Sequence, residues 1–126
     1  MIPVTQTKFH ESDSGTKGNC FAACVASILE LPIDKVIPFD EYEDDEGNAW
    51  SDVAFSFFYE RNLDIDMSIK PIAGYAIGCG FSERNVLHSV VVYNGEIVHD
   101  PHPSKSGIAE IMYYLFIHEL EDNGRS

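Results

Sequence analysis

Of the three cysteines in the chain, Cys20 has the setting best suited to chemistry, in the segment Gly18-Asn19-Cys20-Phe21-Ala22-Ala23-Cys24 that opens a run of helical spacing. A thiol in the first turn of a helix lies against unpaired backbone N–H groups and the positive end of the macrodipole, and both favour the thiolate. The thiolate is the attacking species in acyl transfer, and the N–H of the same residue can face a developing oxyanion. Gly18 leaves room for a substrate, and Asn19 offers a side-chain donor to the oxyanion. The competing reading of Cys20 is a buried, inert thiol.

A nucleophile needs a base, and the base needs a group that holds it in one tautomer. His88 and Asp100 bracket the segment His88-Ser89-Val90-Val91-Val92-Tyr93-Asn94-Gly95-Glu96-Ile97-Val98-His99-Asp100-Pro101. Asn94-Gly95 is a strong hairpin signal, so His88 begins one strand and Asp100 ends the next. Register decides whether they meet, because side chains alternate between the faces of a strand. With a strict two-residue turn, Ser89 faces Asp100 and His88 shares its face with His99. With a three-residue turn and Gly95 in the left-handed position of a bulge, Val90 faces Asp100, and one face reads His88, Val90, Val92, Val98, Asp100. That face is apolar with one His/Asp pair at its end. The sequence therefore predicts a three-residue or bulged turn, with Tyr93 and His99 pointing outward.

Several elements must position these groups. Cys20, Ala23, Cys24, Ser27, Ile28 and Leu31 recur at helical spacing, with Asn19 as N-cap and Pro32 as the stop, so a buried helix is expected from Cys20 to Leu31. Glu11 to Gly18 reads as a polar loop, and the acidic stretch 33 to 48 as a solvated one. A second helix is expected from Ser51 to Arg61, capped by Ser51 and burying Ala54, Phe57 and Phe58. Beyond Asn62, strands are expected at Ile69–Ile77, Val86–Tyr93, Glu96–His99 and Ile111–His118, the last being aromatic-rich enough to favour a strand over a helix. Helices first and strands afterwards imply one α+β domain over residues 1–126, an antiparallel sheet packed on the Cys20 helix.

The Gly18–Cys24 segment, followed by His88–Tyr93 and Asp100-Pro101, resembles the papain-like cysteine peptidase superfamily. The similarity is strongest to the bacteriocin-processing peptidase domains of ABC exporters and to small phage or bacterial relatives. It covers the region around Cys20 and residues 88–107. The resemblance implies a papain-like fold, with Cys20 as nucleophile, His88 as general base and then acid, and Asp100 as orienter. It also implies a Gln upstream of the Cys as oxyanion donor; the nearest is Gln6, fourteen positions before Cys20 and farther than usual in the family. A triad of this kind hydrolyses a peptide, isopeptide or other amide bond without a cofactor. The same triad can instead transfer an acyl group to an amine, as transglutaminase-like proteins do, or the fold can serve as a binding or inhibitor module. The exporter-linked peptidases cut after a double-glycine leader, and that substrate is not carried over to this chain.

Composition bounds the partners. Twenty-one acidic residues against 8 basic ones give a net charge of −13, with no Lys/Arg cluster to line a phosphate backbone, so nucleic acid is not an expected partner. An acidic surface can draw basic peptides or amines. No stretch approaches the roughly 20 apolar residues of a membrane span, and the N-terminus lacks a basic region followed by an apolar run, so a cytoplasmic protein without membrane contact is expected. The short chain favours a small or flexible substrate.

Other candidates have two readings each. Cys20 and Cys24, one helical turn apart, could join His88, His99, His102 or Asp100 around zinc, but no Cys-x-x-Cys pair or His pair with structural-zinc spacing supports a metal site. Cys24 reads as core, and Cys79, in Gly78-Cys79-Gly80, as part of a turn. His99 and His102 either touch substrate or are partly exposed strand-end histidines. Trp50 either borders the cleft or anchors the second helix.

Overall fold

The computed structural model describes residues 1–8, 18–37, 48–82 and 87–120, apart from the side chains of 48–53. The expected loop at Glu11–Gly18, all but Gly18, and most of the acidic loop at 33–48 lie outside the described residues, as does the side chain of Trp50.

The chain is α+β. Helix α1 spans Cys20–Leu29, a short 3-10 turn follows at Ile33–Lys35, and helix α2 spans Asn48–Tyr59. Five strands follow: β1 (Leu63–Ser68), β2 (Tyr75–Phe81), β3 (Leu87–Tyr93), β4 (Glu96–His99) and β5 (Glu110–Glu119). They form one antiparallel sheet in the order β1-β5-β2-β3-β4, so the last strand inserts between the first two.

Helix α1 forms because its small residues let the sheet approach closely, and Ala22 through Ser27 are all buried. It ends two residues before the expected Leu31. Glu30 takes the left-handed conformation (φ 59°), and the N–H groups of Glu30 and Leu31 both reach the carbonyl of Ala26 before Pro32 forbids continuation. Helix α2 starts earlier than expected, so Ser51 lies inside it and does not cap it. Its Phe57 and Phe58 are fully buried with Ala54. Burial of each ring contributes about 1.5–3 kcal/mol. Together with Ala22, Cys24, Val25 and Ala26 of α1 they pack on Ile77, Cys79 and Val91 of the sheet. The opposite sheet face buries Ala76, Val90, Val92 and Tyr114 beneath Ile72, Ile108, Ile111 and Phe116.

Two strand expectations need correction. Of the strand expected at Ile69–Ile77 only Tyr75–Ile77 is extended, as the start of β2 after Pro71 and Gly74, while β1 at Leu63–Ser68, with apolar residues at alternate positions, lies before the expected range. Gly78-Cys79-Gly80 is not a turn but the middle of β2, with Cys79 buried. The glycines are there for close approach. A Cβ on Gly80 would lie 2.2 Å from the Glu110 carbonyl oxygen and 2.8 Å from Ile108.

The N-terminal segment runs along α1 and is fixed mainly by Ser27. The N–H of Ile2 donates to the Ser27 carbonyl at 3.0 Å, and the N–H of Val4 to Ser27 Oγ at 2.9 Å. Farther along, the N–H of Gln6 donates to the Pro101 carbonyl at 3.0 Å, which ties this segment to the end of β4.

Because Gly80 faces a backbone carbonyl that cannot move aside as a flexible side chain would, Gly80→Ala should lower stability by about 1–3 kcal/mol, read as a lower urea midpoint.

Candidate active site

The hairpin β3–β4 decides the geometry. Asn94 (φ 52°) and Gly95 (φ 86°) form a two-residue turn, with Tyr93 opposite Glu96 and Val92 opposite Ile97. The turn itself is therefore not the three-residue loop expected. The one-residue shift occurs just beyond it: Val91 pairs with His99, so Val98 is an extra residue in β4. Val98 is displaced outward and 48% exposed, not on the inner face where the sequence pattern put it. His99, expected outward, is turned inward and buried, and its Nε2 donates to the Val4 carbonyl at 2.7 Å. Tyr93 points outward as expected.

Beyond the bulge, Asp100 comes to the His88 side of the hairpin. His88 Nε2 and Asp100 Oδ1 are 2.7 Å apart, both side chains 4% exposed. The Asp100 carboxylate also accepts the N–H of His102 on Oδ1 at 2.9 Å and the N–H of Gly107 on Oδ2 at 2.7 Å. Gly107 supplies its N–H from a left-handed conformation (φ 74°) that favours glycine. Lys105 Nζ closes the loop on the Asp100 carbonyl at 2.7 Å. Burial alone would raise the Asp100 pKa; the hydrogen bonds from His88, His102 and Gly107 and the His88 charge outweigh it and hold the carboxyl below its ordinary value.

With Nε2 engaged by Asp100, His88 has Nδ1 left for an interaction with Cys20. Burial pushes the His88 pKa down, but the hydrogen bonds and charges of Cys20 and Asp100 win, and it lies above the usual histidine value. Cys20 mirrors this. Burial pushes its thiol up, yet the hydrogen bond and charge of His88, then the backbone N–H and side chain of Ser89, bring it below the ordinary thiol value. The two shifts run toward a thiolate–imidazolium pair, and they belong to the pair as a unit. Cys20 keeps partial exposure at the start of α1. Cys24 and Cys79 are buried and burial drives both thiols upward, Cys24 well above its ordinary value and Cys79 to about 11.

Ser89 is the site residue that the sequence reading missed. It is buried, its hydroxyl lies 3.7 Å from Cys79 Sγ across the β2–β3 pairing, and its backbone and side chain both favour the Cys20 thiolate. The signal was present: Ser89 is the one hydroxyl in the run Ser89-Val90-Val91-Val92, and a buried hydroxyl requires a partner.

The remaining candidates are distributed around this row. Asn19 stands at the N-cap position but makes no side-chain cap bond. Its Oδ1 accepts the N–H groups of Thr7 (3.0 Å) and Lys8 (2.9 Å), and its Nδ2 donates to Thr7 Oγ1 (2.9 Å). These bonds hold the N-terminal segment, and they leave the first-turn amides of α1 uncapped by that side chain. Gln6 is buried between the Pro101 carbonyl and Lys8, whose carbonyl accepts from Gln6 Nε2 at 2.8 Å, while Gln6 Oε1 is buried without a hydrogen-bond partner. Gly18 is half-buried immediately before Asn19. The ring of His102 lies edge-on to His88 with centroids 6.3 Å apart, and its Nδ1 is held by Ser104. Trp50 lies in α2, with its side chain outside the described residues. Among the described residues, the group of side chains close enough to share a metal ion is Asp64, Asp66 and His118 on β1 and β5; it contains neither Cys20 nor Cys24.

No family model, no curated protein and no solved structure matches this chain. The geometry therefore has to carry the functional interpretation.

With iodoacetamide near neutral pH, intact mass should show one alkylation, at Cys20, while Cys24 and Cys79 stay unmodified. The midpoint of the labelling rate against pH should lie below the ordinary thiol value, and it should move upward in both His88→Ala and Ser89→Ala.

Proposed function

We propose that this protein is a cysteine hydrolase that cleaves a peptide, isopeptide or other amide bond through a Cys20 thioester. The observation that carries the proposal is the buried 2.7 Å His88–Asp100 hydrogen bond beside Cys20, with the thiol drawn toward thiolate and the imidazole toward imidazolium. The order Cys, His, Asp along the chain and a Cys-bearing helix packed on an antiparallel sheet support the papain-like interpretation.

In this mechanism, Cys20 Sγ attacks the amide carbon and the carbonyl electrons move to oxygen. The N–H groups of the first turn of α1 receive that oxyanion, and the N–H of Gln6 Nε2 that is not given to the Lys8 carbonyl is the side-chain donor proposed with them. His88, protonated at Nδ1, gives its proton to the leaving nitrogen as the C–N bond breaks, leaving the acyl group on sulfur and a free amine. His88 then takes a proton from water, whose oxygen attacks the thioester carbon; the C–S bond breaks, the acid departs and the thiolate–imidazolium pair is restored. Asp100 holds the ring so that Nδ1 faces the sulfur, and it stabilises the imidazolium. Gly18 and His102 border the path by which substrate reaches Cys20.

The net charge of −13 draws cationic amines toward the surface, so transfer of the acyl group to an amine is the competing fate of the thioester. Among the described residues no helix is long and apolar enough to cross a membrane, and the substrate is taken to reach the site from solution.

Cys20→Ala should abolish hydrolysis of a fluorogenic peptide amide library, and His88→Ala should lower kcat by about 10²-fold or more. The product mass in the presence of a primary amine separates hydrolysis from transfer. If the wild-type protein cleaves nothing in that library and forms no amide with the amine, the proposal fails.

The active form is the ion pair, so kcat/KM against pH should be bell-shaped. The rate is lost on the acid side as Cys20 is protonated below its lowered pKa, and on the alkaline side as His88 loses its proton above its raised one. Asp100→Ala removes one of the interactions that raise His88, so its alkaline limb should move to lower pH.

A further inference from the structure

On the sheet face turned away from α1, strands β1 and β5 bring three metal-ligating side chains to one point. Asp64 and Asp66 stand two residues apart on β1 and so share a face, and His118 on β5 is paired directly with Asp64. Their neighbours Leu63, Ile65, Leu115 and Ile117 take the other face and pack against the core that holds both helices. One oxygen from each carboxylate and one imidazole nitrogen all lie within 4.8 Å of one another. Both ring nitrogens of His118 meet acceptors: Nδ1 is 3.1 Å from the Glu119 carbonyl oxygen, and Nε2 is 2.6 Å from Asp66 Oδ2. Nδ1 gives its proton to the carbonyl, so a neutral ring would aim its Nε2 lone pair at an ionised carboxylate. A positive ion belongs at Nε2.

We infer that Asp64, Asp66 and His118 bind a divalent transition-metal ion of the zinc type, through His118 Nε2 and one oxygen of each aspartate. The ion takes the place of the Nε2 proton, which passes to solvent. Ligands about 2.0–2.2 Å from a tetrahedral zinc stand roughly 3.3–3.6 Å from one another, so the widest pair has to close by about 1.5 Å at most. The Asp66 side chain is 57% exposed and has the freedom to move that far. His118 is already held as a ligand is held. A metal-binding histidine gives its other ring N–H to a carbonyl or carboxylate, which fixes the tautomer, and the Glu119 carbonyl does this here. The Phe116 ring, with its centroid 5.7 Å from that of His118, flanks the imidazole. Two carboxylates balance the charge of the ion, and the nitrogen ligand selects against calcium and magnesium, which take oxygen ligands. Three protein ligands leave a fourth position for water. Asp66 and His118 are 52 residues apart in the chain and meet only when β1 is paired with β5, so the ion clamps the edge strand to the sheet. Cys20 is carried by α1 on the opposite face, and the metal site stands or falls without the hydrolase proposal.

The test is a calorimetric zinc titration of the 126-residue chain carrying Cys20→Ser, which removes a thiol that could compete for the metal. Zinc should bind, and His118→Gln and Asp66→Asn should each weaken it by about 10-fold or more. Glu96→Gln, which removes an exposed carboxylate at the far edge of the sheet, should leave the affinity unchanged. Magnesium at the same concentration should not displace zinc. In ¹⁵N spectra of the His118 ring, zinc should replace the proton on Nε2 while Nδ1 stays protonated toward Glu119. That readout uses the intact ligand set, so it does not depend on the ligand variants folding. Because the three ligands meet only in the folded sheet, zinc should also raise the urea midpoint. Absence of zinc binding, binding that survives both ligand substitutions, equal competition by magnesium, or a His118 ring unchanged at saturating zinc overturns the inference.

Discussion

The extra residue in β4 is the constraint on which the rest of the site depends. Side chains alternate along a strand, so one inserted residue exchanges the faces of everything beyond it. Without Val98 as a bulge, the pairing that starts at Tyr93 and Glu96 would place Asp100 opposite Ser89 and leave His88 without its carboxylate. With it, Val91 meets His99, and Asp100 turns to His88. The same shift turns His99 inward, where its bond to the Val4 carbonyl anchors the N-terminal segment that carries Gln6. One local irregularity thus sets both the His88–Asp100 bond and the placement of the segment next to Asn19.

The chemistry that follows is a matter of which buried polar groups find partners. Leaving a buried donor or acceptor unsatisfied costs about 1–3 kcal/mol, and hydrogen bonds to charged groups contribute about 1.5–3 kcal/mol. Asp100 has three donors at its carboxylate, His88 has an acceptor on each side, and Cys20 has His88 and Ser89. Burial is opposed at each of the three, and each pKa moves toward the charged form. For Cys24, burial and the neighbouring negative charges act together, and for Cys79 Ser89 and Tyr113 offset burial only in part, so both remain thiols. Their neighbours alone thus move one of the three thiols down in pKa and two up.

Much of this was legible in the residues. The small side chains after Cys20 marked a buried helix, Asn94-Gly95 marked the hairpin, and the mismatch between a strict turn and an apolar His/Asp face demanded a one-residue shift. The location of that shift was not legible, because Asn94-Gly95 satisfies a two-residue turn by itself and nothing in Ile97-Val98-His99 announces a bulge. Gly78-Cys79-Gly80 misled for a related reason. Glycines signal turns when read locally, yet here they make room for β5, a strand from the far end of the chain. Asn19 has the composition of a cap, but its side chain was claimed by Thr7 and Lys8, partners that only the tertiary fold brings near. Long-range partners overrode local propensity in each case.

The most direct test of the central claim is a ¹⁵N NMR titration of the His88 ring nitrogens in the wild-type protein and in a variant lacking Val98, with backbone amide dispersion confirming that the variant is folded. The wild type should hold its imidazolium to a pH above the usual histidine range, with Nε2 protonated toward Asp100. The deletion, which returns Asp100 to the opposite face, should lower the His88 titration and loosen the Nε2 hydrogen bond. An identical titration in the two proteins would contradict the account.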